Sequence, residues 1–346
     1  MRTLEIPRPD DWHLHLRDGA ALRAVLPHTA LRFGRAVVMP NLRPPVTTTA
    51  QALEYRKRIL AALPAALVGR FEPLMTLYLT DQTAPEEVLR ARASAVVHGA
   101  KLYPAGATTH SDAGVTSLAK LEPVLEAMQD CGLPLLVHAE VTDPAVDVFD
   151  REAEFLRRQL APVLERFTRL RVVVEHVTTR EAVEFVRAAG ERVAATITAH
   201  HLLLSRNAMF AGGLRPHLYC LPVLKRERHR EALVAAATSG EPRFFLGTDS
   251  APHPRAGKEA GCGCAGIYTA HAAIELYAEA FAAAGALDRL AGFASEFGPR
   301  FYGLPVSDER LRLVEAAWEV PASYPLGDDV VVPLRAGEVV RWRIEA

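Results

Sequence analysis

VVVEHVTTREAVEFVRAAGERVAATIT, residues 172–198, contains a complete structural unit. A short apolar run from Val172 ends on Glu175 and His176. The stretch Arg180–Ala189 follows with mixed apolar and charged faces, and a second apolar run starts at Val193. Short, nearly continuous apolar runs suit strands covered on both faces, and a helix between two of them is the crossover that parallel strands require. The stretch predicts a βαβ unit.

The same alternation extends in both directions. Upstream lie DWHLHL from Asp11, AVVMP from Ala36, LMTLYL from Leu74, AVVHGAKLY from Ala95 and PLLVH from Pro134, and downstream lies FFLGTD from Phe244. Between them Thr49–Leu63, Pro85–Ala93, Ser117–Asp130, Phe149–Phe167 and Lys225–Ser239 read as helices, the first opened by threonines able to cap it. Strands alternating with helices eight times over predict a closed (β/α)8 barrel of the TIM type. Beyond it, two alanine-rich helical stretches fall between Tyr268 and Ala294. VVVPL and VVRWRI then predict a short terminal β-hairpin turning at Ala336-Gly337. No linker or repeat divides the chain, so one domain over 1–346 is expected, a size that such barrels reach.

Composition narrows the function. The chain is 49% hydrophobic and 23% charged, an ordinary globular balance. Forty lysines and arginines against 41 acidic residues leave no field to attract nucleic acid or an anionic membrane, so the expected partner is a small molecule. The start, MRTLEIPRPDDW, lacks the apolar core of a signal peptide, and a cytoplasmic location is expected. Four cysteines are too few for a disulfide scaffold in a chain this long, and Cys131, Cys220, Cys262 and Cys264 read as free thiols.

In a (β/α)8 barrel the reacting groups sit at the carboxyl ends of the strands, where the βα loops build the pocket. His13 and His15 fall near the end of the first run, Asn41 just after the second, Lys101 late in the fourth, and His138, His176 and Asp249 end the fifth, sixth and eighth. Alternate strand residues point to one side, so His13 and His15 can present two imidazoles to one ion. A hydrogen-bonded pair on an ordinary strand is the plain alternative. The coincidence of four histidines, a lysine and an aspartate at strand ends favours a metal site, because imidazole with carboxylate suits zinc. Lys101 joins such a site only by losing its charge. Reaction with carbon dioxide would make it an anion with two oxygens, able to bridge ions about 3.5 to 4 Å apart.

These residues lie in longer motifs: HLHLRDG from His13, VMPNL from Val38, AKLYPAGATT from Ala100, VHAEV from Val137, VEHVTT from Val174, RPHLYCLPVLK from Arg215, GTDSAPH from Gly247 and CGCAG from Cys262. In order and together, from about Glu5 to the tail, they resemble the bacterial single-domain dihydroorotases of the amidohydrolase superfamily. The resemblance implies reversible cyclisation of N-carbamoyl-L-aspartate to L-dihydroorotate by a homodimer with two zinc ions per subunit. His13, His15 and Asp249 would hold one zinc and His138 and His176 the other, with carboxylated Lys101 (N6-carboxylysine) bridging both and Asp249 moving the proton. Arg17, Asn41 and His253 would bind the substrate carboxylate, Leu221 and Ala265 would contribute backbone contacts, and Thr108 and Thr109 would sit on a lid.

The sequence departs from that pattern in two places. Thr198-Ala199-His200-His201-Leu202 has an extra imidazole, His200, where relatives carry proline and glutamine before a single histidine, and the loop around Gly106 and His110 is its own. Two other readings compete. A hydantoinase-like or dihydropyrimidinase-like cyclic amidase would have no use for the carboxylate-binding set of Arg17 and Asn41, and a noncatalytic scaffold relative would have lost ligands that are all present here.

Overall fold

A computed structural model describes residues 2–345; the first and last residues of the domain expected over 1–346 lie outside the described residues. After a leading strand, β1 (Thr3–Pro7), come β2 (Asp10–Leu14), β3 (Arg35–Val38), β4 (Glu72–Tyr78), β5 (Val97–Leu102), β6 (Leu135–Val137), β7 (Val172–Val174), β8 (Val193–Ile197) and β9 (Phe244–Leu246). From β2 to β9 each strand pairs in parallel with the next in sequence. The ring closes where the Asp249 N–H donates to the His13 carbonyl at 2.8 Å and the His15 N–H to the Ser250 carbonyl at 3.2 Å. All eight apolar runs form barrel strands, with helices on the outside, as the alternation predicts.

Strand alternation sorts the core into two layers. Trp12, Val37, Leu74, Leu136, Val173 and Phe245 pack together inside the barrel, whereas neighbours such as Val38, Val172 and Val174 face the outer helices. Phe297, Phe301 and Tyr302, on and beside the helix Phe297–Tyr302, pack against the inner cluster. Trp12 stacks on Tyr302 at 4.4 Å and leaves no room above Gly298, where an added Cβ would lie 1.9 Å from Trp12 Nε1. Gly298→Ala is therefore expected to cost about 3 kcal/mol, read as a fall in denaturant midpoint.

Several elements differ from expectation. The helix Gly19–Arg32, capped by the Asp18 carboxylate, hides in the sequence because its exposed side also carries apolar residues such as Ala20 and Leu31 and because it contains Pro27. Thr48 and Gln51 form a capping box at the start of Thr49–Ala61, as the threonines suggest. The stretch Phe149–Phe167 splits into Arg151–Phe155, a wide turn over Leu156–Leu160, and Ala161–Arg166. Pro162 has no N–H to offer the carbonyl four residues back, and the wide turn falls just before it. The helical region after Tyr268 runs past Ala294 to Tyr302.

The tail does hold a hairpin, but it turns one loop earlier than expected. β12 (Tyr324–Leu326) pairs with β13 (Asp329–Val331) around Gly327. The residues after Ala336-Gly337 pair elsewhere: β14 (Val339–Val340) with β11 (Trp318–Glu319), and β15 (Arg343–Ile344) with β10 (Arg310–Val314), which also pairs with β1. Pro333 cannot donate to a ladder, and the Leu334 N–H is taken by the Tyr268 carbonyl, so VVVPL ends against the barrel instead of folding back. Among the described residues no helix is long and apolar enough to cross a membrane.

Candidate active site

The carboxyl ends of β2 to β9 converge on one pocket. His13, His15, Arg17, Asn41, Thr108, Thr109, His138, His176, Leu221, Asp249, His253 and Ala265 all line it, so the residues singled out in the sequence lie together. Lys101 lies beneath them at the end of β5, fully buried.

Two of the four imidazoles are held by a hydrogen-bonded neighbour. His15 Nδ1 lies 2.7 Å from Asn41 Oδ1, so its N–H donates there and Nε2 faces Asp249 Oδ1 at 3.1 Å. His13 Nδ1 makes a close, bent approach of 2.8 Å to Glu175 Oε2, with Nε2 3.4 Å from Asp249 Oδ1. His138 Nε2 lies 2.8 Å from Glu140 Oε2, which leaves Nδ1 as its free lone pair. The His176 ring is 5.0 Å from that of His13 and 4.9 Å from that of His138. An acceptor on one ring nitrogen fixes the tautomer and leaves the other nitrogen to bind metal. Burial, reinforced by the positive charge of Lys101, holds His13 and His176 well below the usual histidine range, and so keeps them in the neutral form that a ligand requires.

The acids and Lys101 complete the set. Burial pushes Asp249 toward protonation, but its contacts with His15 and His13 outweigh it and hold the carboxyl below its usual range. Burial pushes Glu175 up to about 7 against the pull of Lys101 and the Thr196 hydroxyl. The same burial pushes Lys101 down to about 8. Its Nζ has no hydrogen-bond partner among the described residues and lies 5.0 Å from the centre of the Tyr103 ring. An orphaned buried amine is costly unless something takes its place in a bonding network. His13, His15 and Asp249 bring their donor atoms within 4.8 Å of one another, an arrangement able to hold a metal ion. The residues present therefore fit the zinc pair that the resemblance implies: neutral imidazoles, a low-pKa carboxylate and a buried amine with nothing bonded to it.

Arg17, His176 and Asp249 adopt positive φ angles of 59°, 42° and 44°. Such strain in non-glycine residues is held in place only by dense surroundings and gathers at functional sites. Arg17 does not pair with its neighbour Asp18, which caps Gly19 N and meets Arg58. Instead Arg17 Nε donates to the Pro252 carbonyl at 3.1 Å and Nη2 to His253 Nε2 at 2.9 Å, which fixes the guanidinium at the pocket wall. Thr109 Oγ1 accepts from the Ala265 N–H at 3.0 Å, so the loop after Lys101 is folded over the pocket.

Sequence reasoning missed four supporting residues: Asp11, Tyr103, Glu140 and Glu175. Asp11 accepts from the N–H groups of Thr248 and His13 and from the Thr248 hydroxyl, tying β2 to the end of β9. The two-residue spacing that singles out His13 and His15 also points to Asp11 before them and to Glu140 after His138. Glu175 and Tyr103 carry no comparable signal.

The extra imidazole and its neighbour are both buried, and with Cys220 they form a second compact group of possible ligands. In that group, however, the His201 Nε2–H and the Cys220 thiol both donate to the Pro222 carbonyl, at 3.1 and 3.3 Å, and His201 Nδ1 meets the Thr198 hydroxyl at 2.7 Å. Two of the three ligand atoms are thus protonated and engaged, and the group reads as a closed structural network. His200 itself has no partner for either ring nitrogen among the described residues.

A barrel with strand-end histidines around a buried lysine and an aspartate is an arrangement able to hold a metal ion and suited to hydrolytic chemistry. The amidohydrolase family model matches residues 10–307, and the chain belongs to that family. Within it, relatives at 64–68% identity are dihydroorotases. That of Azoarcus sp. (strain BH72) is 68% identical over 345 residues, covering 99% of this chain and 100% of its own. The dihydroorotase of Campylobacter jejuni superposes with TM-score 0.90 at 37% identity over 99% of this chain and 98% of its own. The Saccharomyces cerevisiae dihydroorotase, crystallised with 5-fluoroorotic acid, gives TM-score 0.91 at 33% identity over 100% and 99%. This places the chain among the enzymes that act on the cyclic amide of dihydroorotate.

Proposed function

We propose that this enzyme interconverts N-carbamoyl-L-aspartate and L-dihydroorotate with two zinc ions per subunit, in the direction of ring closure during pyrimidine synthesis. The single observation that carries the zinc reading is Lys101, a fully buried amine with no hydrogen-bond partner among the described residues, set among four imidazoles and an aspartate. Addition of its amine to carbon dioxide, with loss of one proton, would form a carbamate, an anion that would give Lys101 a place among the metal ligands. Zinc bound there supplies an acidified water and polarises the amide carbonyl.

In this reading His13, His15 and Asp249 hold one ion, His138 and His176 the other, and Lys101 both. The chain's own steps centre on Asp249. During ring opening its carboxylate takes the proton of the attacking water and delivers it to the ring nitrogen as the C–N bond breaks. In closure it takes a proton from the carbamoyl nitrogen and passes it to the departing carboxylate oxygen, which leaves as hydroxide and takes one further proton from solvent to become water. Glu175 and Glu140 hold the rings of His13 and His138 in place throughout. Arg17, anchored by Pro252 and His253, receives the substrate carboxylate, and the Asn41 amide nitrogen adds a donor because its oxygen already serves His15. Leu221 and Ala265 present backbone groups to the ring. Thr108 and Thr109 close over it, and the Ala265 N–H now held by Thr109 passes to substrate when the loop readjusts. A cytoplasmic homodimer completes the proposal and follows from the resemblance.

Arg17 separates this substrate from uncharged cyclic amides such as dihydrouracil. Arg17→Met is expected to raise KM for L-dihydroorotate by about a hundredfold while kcat changes far less, because it removes a charged hydrogen-bonding partner of the ground state and the transition state alike. Equal loss on L-dihydroorotate and dihydrouracil, or turnover of dihydrouracil alone by the unmodified enzyme, would overturn the assignment of substrate.

A further inference from the structure

Lys258 is a buried lysine outside the catalytic set. Its ammonium donates to three backbone carbonyls, Tyr219 at 2.7 Å and Cys264 and Gly266 at 2.8 Å each. Among the described residues no carboxylate neutralises it; the three carbonyls satisfy all three of its donors. Tyr219 lies two residues before Leu221, and Cys264 and Gly266 flank Ala265. The lysine thus joins the two strips of chain that offer backbone groups to the pocket. The junction is tight. Gly266 N–H also donates to the Tyr219 carbonyl at 3.0 Å, and a Cβ on Gly266 would come within 2.7 Å of Ala251 and 2.9 Å of the His253 ring. The Ala251 N–H in turn meets the Ile267 carbonyl at 3.0 Å.

We propose that Lys258 is a positioning residue for substrate. By clamping Tyr219, Cys264 and Gly266 it sets the spacing between the Leu221 and Ala265 backbone groups and the His253 ring, and so the fit of the ring-plus-carboxylate of dihydroorotate. The inference rests on the proposed function. Removing the ammonium costs three charge-assisted bonds at once, leaves the Cys264 and Gly266 carbonyls in search of donors and leaves the Gly266 N–H to Tyr219 carbonyl bond to hold the two strips alone, so they relax apart while the metal ligands on the strands stay where they are.

The test compares Lys258→Met, which keeps most of the apolar stem, with Lys258→Gln, which keeps an amide donor. Zinc content, circular dichroism, KM and kcat for L-dihydroorotate, and Kd for 5-fluoroorotate by calorimetry are all measured. The methionine variant is expected to fold and to hold its metal. Its KM and Kd should rise together by about tenfold with kcat within about threefold, and the glutamine variant should fall between it and the unmodified enzyme. Unchanged KM and Kd, a loss confined to kcat, or failure of both variants to fold would overturn the proposal, the last by making Lys258 a determinant of the fold. An unmodified enzyme that does not turn over L-dihydroorotate contradicts the functional reading instead, and 5-fluoroorotate affinity in the three proteins then still reads the clamp.

Discussion

Lys101→Ala is expected to lower turnover of L-dihydroorotate by roughly 10⁴-fold or more, because the variant loses the group proposed to hold both zinc ions at once. The fold should survive. Lys101 is buried at the end of β5, but its Nζ makes no hydrogen bond that alanine would leave unsatisfied. The substitution removes a desolvated amine and opens a cavity of a few methylenes, a cost of about 2–3 kcal/mol, which a barrel with so large a core can absorb. Circular dichroism of the variant should therefore match the unmodified enzyme while zinc per chain and activity fall together. The cavity left behind takes the place of the lost side chain. Added acetate or propionate, a small carboxylate that can enter it, is expected to restore part of the activity. A variant that keeps both metal and turnover would show that Lys101 plays no part in the centre.

Asp249→Asn is expected to reduce kcat by about 10³ to 10⁴-fold, with a much smaller change in KM. The amide is close to the carboxylate in size, and the positive φ of 44° at this position is one that asparagine tolerates. What changes is the chemistry: an amide neither accepts the proton of the attacking water nor returns it to nitrogen. The close contacts of His15 and His13 Nε2 with Asp249 Oδ1, at 3.1 and 3.4 Å, place the carboxylate among the proposed ligands and give it a second task, so some loss of zinc should accompany the loss of rate. Adding excess zinc separates the two effects. Recovery of metal without recovery of rate assigns Asp249 to proton transfer, whereas recovery of both would reduce it to a ligand.

The barrel was legible in the sequence because its signal is repeated. Each run such as Val172–Val174 is buried on both faces and therefore apolar throughout, and eight such runs reinforce one another. The same repetition located the site, since a barrel places chemistry at strand ends and the polar residues there stand out against apolar runs. Pairing in the tail was not legible. β14 and β15 are two residues each, and their partners, β11 and β10, lie about 20 to 30 residues upstream, so nothing local in VVRWRI says which strand it joins. The helix Gly19–Arg32 failed for a different reason: its buried stripe takes in Thr29 and Arg32 while its exposed side carries Ala20 and Leu31, so apolar and polar residues do not separate along the sequence, and the ion pair of Arg32 with Glu275 at 2.7 Å joins residues 243 positions apart. Supporting groups were lost for the same long-range reason. Glu175 acts on His13 across the barrel, and Lys258 acts on three carbonyls that only the fold brings within reach.

The most direct test of the metal-centred account is zinc per chain and turnover of L-dihydroorotate measured on one purified sample, before and after chelation and zinc replacement. The account predicts about two zinc ions per chain, activity that disappears with them and returns with them, and a mass increase on Lys101 of one carbon dioxide in the zinc-loaded protein. Full turnover in chelated protein free of zinc, or two bound zinc ions with no turnover of L-dihydroorotate, would contradict it.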